Sequence, residues 1–237
     1  MATSPSYLEA MKSQFAEKRP LIQVRAMRRL ELYTRLLGNR VPARILEVGS
    51  GTGWMVWAFN QLGVEALGVE LEADLVASAS ALGSNVKQGD ICQMNCSGWP
   101  LFDVVCASQT LEHITAPRLA IRNMVRLVRP GGLIHVDVPN AGSWGARVRR
   151  WRHGDSNWGV IALPHHQIGY QAKSLGRLLE DAGLTVLQLL EKPTNDGVYG
   201  QTIIPSAFRS RIAMQLSRFV GHGYVLAALA IKDQDRE

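Results

Sequence analysis

The stretch Ala43-Arg-Ile-Leu-Glu-Val-Gly-Ser-Gly-Thr-Gly53 constrains this chain more than any other. It begins with Ile45, Leu46 and Val48, the composition of a strand buried on both faces. Gly49, Gly51 and Gly53 follow at alternate positions. Without a Cβ, such residues let the backbone turn with positive φ and let a ligand lie against the main chain. Trp54 to Leu62 is then apolar and helix-compatible, with Gly63 as its stop. A strand, a glycine turn and a helix N-terminus make a corner whose free N–H groups face a nucleotide-like ligand.

Spacing narrows the ligand. A dinucleotide fingerprint needs a third glycine where Trp54 stands, and a phosphate loop needs a lysine that is absent. The pattern Glu47-x-Gly49-x-Gly51-x-Gly53 resembles motif I of the class I S-adenosylmethionine-dependent methyltransferases. The resemblance implies S-adenosyl-L-methionine as cofactor and S-adenosyl-L-homocysteine as product. It implies that Glu47, Gly49, Ser50, Gly51 and Gly53 surround the methionine part. A glycine-rich turn without a ligand is the alternative.

Strands and helices then alternate. Glu65 to Glu70 reads as a second strand, followed by a helix from Glu72 to about Leu82. A carboxylate about 20 residues after a glycine turn is placed to accept both hydroxyls of a ribose. Glu70 is the candidate, with Leu71 beside it, whereas Glu72 and Asp74 read as helix N-terminal charges. Asn85 to Gly89 is a short third strand, and Asp90-Ile91 follows it. The resemblance places Asp90 on the adenine amino group and Ile91 beside the ring; Asp90 as a plain turn residue is the other reading. Phe102 to Ser108 is the fourth strand, and its end, with Ser108 and Gln109, points at the cleft.

Gln109-Thr110-Leu111-Glu112-His113-Ile114 comes next. It sharpens the resemblance towards small-molecule methyltransferases of the quinone-biosynthesis type, in which Leu-Glu-His follows this strand. Some of those enzymes are thought to hold a divalent cation with Glu-x-x-Glu-His. Here Gln109 occupies the first acidic position. Losing an anionic oxygen weakens a hard-cation site, so no metal is expected. Glu112 and His113 are expected instead to fix the turn through hydrogen bonds. Ala116 to Arg129 reads as a helix with Ile121, Met124, Val125 and Val128 on one stripe. Arg129-Pro130-Gly131-Gly132, a structural signature of the superfamily, should end it before a fifth strand, Leu133 to Val138.

An insertion at 141–170 interrupts the alternation and carries Trp144, Trp151, Trp158 and Pro164-His165-His166. A long connection after a strand of a parallel sheet can reach the ligand crevice. A base for an acceptor hydroxyl must titrate near neutral pH and face that crevice. His113, His165 and His166 qualify, whereas His135 lies mid-strand and His222 far downstream. At least one of His165 and His166 is expected to contact the acceptor and take its proton; orienting the following helix is the alternative. Ser174 to Gly183 reads as a helix, Leu184 to Leu190 as a sixth strand and Ser206 to Val220 as a last helix. Tyr224 to Ile231 is a final strand expected to insert antiparallel.

Ahead of motif I, the reading is one helix to about Lys18 and a second from Pro20 to Leu37. Val24, Met27, Leu30, Tyr33 and Leu37 recur at helical spacing. Residues 1–40 would pack on the domain or over its cleft, and 41–237 would form the domain itself. The expected fold is α/β, a Rossmann-like three-layer sandwich. Its seven-stranded sheet is mostly parallel with the last strand antiparallel, and beyond the fifth strand this topology rests on the resemblance.

Charge raises a second function. The net charge is +6, with Arg147, Arg149, Arg150 and Arg152 close together and a second basic stretch from Lys18 to Arg29. That balance motivates an RNA methyltransferase. Against it, no RNA-binding module is legible, and Ser108-Gln109-Thr110-Leu111 replaces an Asn/Asp-Pro-Pro-Tyr motif. Both basic stretches are expected to be solvated faces. Cys92, Cys96 and Cys106 form neither an even disulfide framework nor a full metal set, and Cys106 lies in an apolar run. No apolar run has the length of a membrane span, and Met1 to Arg19 lacks a signal peptide's apolar segment, so a cytoplasmic protein is expected. The expected function is methyl transfer to a small-molecule acceptor, with a hydroxyl oxygen as the expected acceptor atom. An RNA methyltransferase and a non-catalytic S-adenosylmethionine-binding protein are the alternatives. Neither the acceptor nor the oligomeric state is legible.

Overall fold

A computed structural model describes residues 5–154, 160–192 and 223–233. Its helices are α1 (Pro5–Leu36), α2 (Trp54–Gln61), α3 (Ala73–Ala81), α4 (Pro117–Leu127), α5 (Trp144–His153) and α6 (Ala172–Glu180). The strands are β1 (Arg44–Val48), β2 (Glu65–Glu70), β3 (Val86–Gln88), β4 (Phe102–Ser108), β5 (Val128–Pro139), β6 (Leu184–Lys192) and β7 (Val225–Lys232). They form a seven-stranded sheet in the order β3-β2-β1-β4-β5-β7-β6. Every neighbouring pair from β3 to β5 is parallel, and β7 inserts antiparallel between β5 and β6. The mostly parallel sheet and its antiparallel last strand are as expected.

Successive residues along a strand point to opposite faces, and both faces of this sheet are covered. Leu46, Val105, Ile134 and Ala228 pack with Ile121 and Met124 of α4 and Leu175 of α6. Ile45, Val104, Leu133 and Leu229 pack on the other face, with Ile22, Ala26 and Tyr33 of α1 and Phe59 of α2. Strand order reverses between β1 and β4, the place where an open α/β sheet leaves a crevice beyond its carboxyl ends.

Three local expectations change. The helix before β1 is continuous through Pro20 rather than broken there. An interior proline costs about 3 kcal/mol. Packing on both sides of it offsets that cost: Phe15 lies 5.0 Å edge-on to Trp57, and Ile22, Ala26 and Tyr33 are fully buried. The buried face is also not the expected stripe, because Val24 and Met27 are exposed. Finally, β5 starts at Val128, so Arg129-Pro130-Gly131-Gly132 lies within a strand, beside a register shift opposite Phe102 and Val104, instead of capping a helix. Its role is structural, as expected. Arg129 Nε donates to Asp103 Oδ1 at 2.6 Å, and Asp103 Oδ2 accepts from Ala43 N and Arg44 N, clamping the far end of β1 to β4. The expected helix 206–220, Trp158 and His222 lie outside the described residues. No helix among the described residues is long and apolar enough to cross a membrane.

Candidate active site

The carboxyl ends of β1, β2 and β4 enclose a cleft of about 530 Å³. Gly49, Glu70, Leu71, Asp90, Ile91, Gln109, His113 and His165 line it, together with Thr110 and Ile114. Local backbone chemistry holds the glycine loop in shape. Gly51 has φ +55°, a region L side chains adopt only with strain, and nothing lies within 4 Å of where its Cβ would point. Its N–H donates to Glu70 Oε2 at 2.8 Å, while Glu70 Oε1 accepts from Glu72 N at 3.1 Å. Glu70 thus joins the loop to the start of α3 and presents its carboxylate at the cleft wall. Asp90 Oδ1 accepts from Cys92 N at 2.8 Å, so the turn role and a place on the cleft wall coexist in one residue.

Other members of the expected cofactor set sit behind the wall. A Cβ at Gly53 would meet Ala79, Ser84 and Val86, so this glycine serves core packing at the start of α2. Ser50 is buried against Gly68. Glu47 is buried on the α1 side of the sheet, and burial raises its pKa to about 7 against the opposing charges of Arg29 and Arg25. Ser108 accepts a 2.7 Å bond from Arg29 Nη2.

That bond belongs to a buried seam that sequence reading missed. Strand parity sets Glu47, Cys106, Ser108, His135 and Asp137 on the face covered by α1, with Cys106 beside His135 and Ser108 beside Asp137. Arg29 Nη2 meets Asp137 Oδ2 at 2.8 Å. His135 Nε2 lies 3.2 Å from Asp137 Oδ1, and Tyr33 Oη lies 2.6 Å from His135 Nδ1. Burial alone would raise the Asp137 pKa, but His135, Arg29 and Lys192 together hold it well below the carboxylate range. Burial lowers His135. The carboxylate of Asp137 only accepts, so His135 Nε2 donates to it, and in the neutral ring Nδ1 accepts the Tyr33 hydroxyl proton. The expectation of a solvated face over Lys18 to Arg29 fails for Arg25 and Arg29, which are 4% and 5% exposed. Two signals were available: Arg29 shares helical spacing with Ile22, Ala26 and Tyr33, and Asp137 interrupts an apolar strand.

Across the cleft, the three candidate histidines converge. The insertion folds back over the turn Leu111–His113: Gln167 N and Ile168 N donate to Glu112 O, and Tyr170 Oη donates to Leu111 O. His113 Nδ1 lies 2.8 Å from His165 O, and His166 Nδ1 lies 3.1 Å from Val160 O. A carbonyl only accepts, so both Nδ1 atoms carry hydrogen, and Nε2 is the nitrogen of each ring that can exchange a proton. The rings of His113 and His166 meet edge-on at 4.8 Å. Burial first, then the neighbouring His113 charge, lowers the His166 pKa. His165 lines the cleft and lends its carbonyl to this arrangement.

Glu112 differs from its expected role. Its backbone carbonyl, not its side chain, ties the turn to the insertion. Its carboxyl group is 1% exposed, and neither oxygen has a hydrogen-bond partner among the described residues. Oε1 is 4.0 Å from His113 Nε2, and burial raises the Glu112 pKa to about 8. Glu112, His113 and His166 each offer one ligand atom, all within 4.8 Å of one another. A shallower groove of about 720 Å³ between α4 and α6, bordered by Arg118, Lys173 and Arg177, contains none of these groups.

Comparison with known proteins gives this arrangement a context. A family model described as a methyltransferase domain matches residues 15–189. The ubiquinone biosynthesis O-methyltransferase of Alkalilimnicola ehrlichii is 33% identical over 122 residues, which are 49% of this chain and 49% of the relative. The match therefore spans about half of that relative's length. The enzyme of the same name from Rhodopseudomonas palustris is 26% identical over 183 residues, 70% of this chain and 71% of the relative. A solved S-adenosylmethionine-dependent methyltransferase from Archaeoglobus fulgidus superposes with a TM-score of 0.63 at 17% identity. It covers 95% of this chain and 100% of its own, and it speaks to the fold.

Proposed function

The chain belongs to the methyltransferase-domain family, and from that premise we propose that it transfers the methyl group of S-adenosylmethionine to a hydroxyl oxygen of a small molecule. One observation carries the reading: a glycine-loop cleft and a histidine whose Nδ1 is held by a carbonyl share one rim. The loop fits the cofactor, because the space above Gly51 is open and Glu70 stands at the wall where a ribose would lie. Asp90 and Ile91 would hold the adenine. Arg29 Nη1, buried without a hydrogen-bond partner among the described residues, is a spare donor for the carboxylate of the methionine part.

S-adenosylmethionine supplies a methyl group already electrophilic on its sulfonium. The protein's task is then to align the acceptor and dispose of its proton. His113 is oriented for this by the His165 carbonyl and takes the proton at Nε2. The new bond from the acceptor oxygen to the methyl carbon would leave the electron pair of the broken bond on the sulfur. Buried Glu112, once ionised, stabilises the resulting imidazolium. The names of the relatives support oxygen as the acceptor atom. A cytoplasmic setting is part of the proposal, and the three unpaired cysteines fit a reducing compartment.

A second reading rests on Glu112, His113 and His166. Two imidazoles whose Nδ1 atoms are committed to carbonyls, beside an unpartnered carboxyl, suit a borderline ion such as zinc better than magnesium, which demands oxygen ligands. A bound ion would polarise an acceptor hydroxyl. Incubation with methyl-labelled S-adenosylmethionine and a panel of phenolic acceptors separates the readings. Label should enter the acceptor oxygen, and turnover should survive prolonged chelation and gain nothing from magnesium. Turnover lost to the chelator and restored by zinc favours the metal, and no label in any acceptor favours a binding protein.

A further inference from the structure

Helix α5 leaves the carboxyl end of β5, on the rim where the cleft opens. Ser143 Oγ caps it by accepting from Ala146 N, and Gly154 ends it with φ +76°. Its inner side is anchored: Ala146 is buried with Val160, Ala141 and Ile161 against it, and Gly145 lies against the Tyr224 ring. Its outer side presents large apolar groups to water. Trp144 is 65% exposed and Trp151 84% exposed.

At about 100° per residue, Trp144, Val148 and Trp151 fall within a sector of roughly 60°. Arg147 and Arg152 flank that sector, both exposed, and the helix Trp-Gly-Ala-Arg-Val-Arg-Arg-Trp-Arg-His has no acidic residue. Arg149 is drawn aside over the Tyr224 ring at 5.8 Å, which leaves the outer stripe to the indoles. Indole rings with an apolar body and one N–H donor are stable at the headgroup level of a bilayer, and flanking arginines meet anionic phosphates. A nucleic-acid site would take the form of a basic groove tracking a backbone. Here the cations border a protruding apolar ridge.

We infer that α5 docks the protein peripherally on an anionic lipid bilayer. Trp144 and Trp151 enter the headgroup region, and Arg147 and Arg152 lie against lipid phosphates. The helix lies on the surface rather than crossing it. The inference is independent of methyl transfer.

Co-flotation of the full chain with vesicles of phosphatidylcholine, with and without phosphatidylglycerol, tests it. The protein should float with the anionic vesicles, stay behind with the neutral ones, and be released by salt. Trp144→Ser with Trp151→Ser should cut retention at least tenfold, with an unchanged thermal transition because both rings are exposed. Arg147→Gln and Arg152→Gln should each weaken retention about fivefold at low salt. No retention on anionic vesicles overturns the inference, as does retention unchanged in the tryptophan variant. Binding of an RNA oligonucleotide through these residues, without vesicle binding, overturns it in favour of a nucleic-acid face.

Discussion

The two sides of the cleft are built over different distances along the chain. On the glycine-loop side the positioning contacts are short: Gly51 to Glu70 spans 19 residues, and Glu72 to Glu70 and Cys92 to Asp90 span 2 each. On the histidine side, His113 reaches His165 across 52 residues, and Tyr170 reaches Leu111 across 59. Local contacts cost little loop-closure entropy and can be written into a motif. Distant ones exist only once the insertion has docked. The glycine-loop side is thus specified by spacing and the histidine side by tertiary structure.

The largest effect that sharpens this contrast lies in the loop. Gly51→Val should reduce S-adenosylmethionine binding below detection by calorimetry, with circular dichroism unchanged, since the open space above Gly51 is where the side chain would go. Retained affinity would break the cofactor half of the comparison.

Next comes Glu112, on the histidine side. Its folded pKa of about 8 lies above its ordinary 4.5, so the fold favours the protonated form. Its contribution is complete below about pH 4.5 and lost as pH rises towards 8. In chelator, Glu112→Gln should therefore gain on the natural protein by about 2–4 kcal/mol between pH 5 and 8, read from denaturant unfolding. A difference that is flat with pH would mean that the carboxyl group is not buried as described.

The smallest effect tests the ribose assignment. Glu70→Ala should weaken both S-adenosylmethionine and S-adenosylhomocysteine by about 1.5–3 kcal/mol, and Glu72→Ala should leave both nearly unchanged. Equal behaviour of the two variants would move the ribose contact elsewhere.

The same contrast explains what could be read from the sequence. The strand–glycine–helix corner, the acidic end of β2 and the parallel alternation through β5 follow from period, spacing and turn chemistry within short windows. The antiparallel insertion of β7 rests on resemblance, and its place between β5 and β6 is seen only in the fold, because no local pattern encodes strand order. Arg25 and Arg29 looked like solvent charges; their burial depends on Asp137, Glu47 and Ser108, which only the folded sheet brings beneath α1. Pro20 looked like a boundary, but packing on α2 kept the helix whole. The histidines were legible as candidates by type and loop position. Their shared orientation was not, because two carbonyls from the insertion set it.

The division of labour between the two sides is tested most directly by one variant measured twice. For His113→Gln, the dissociation constant of S-adenosylmethionine and the turnover on a methylated acceptor should be determined on the same preparation. Affinity should stay at the natural value while turnover falls about 10²–10⁴-fold, as for a lost acid–base group. Turnover near the natural rate, or affinity falling in step with it, would contradict the assignment of His113 to the acceptor side.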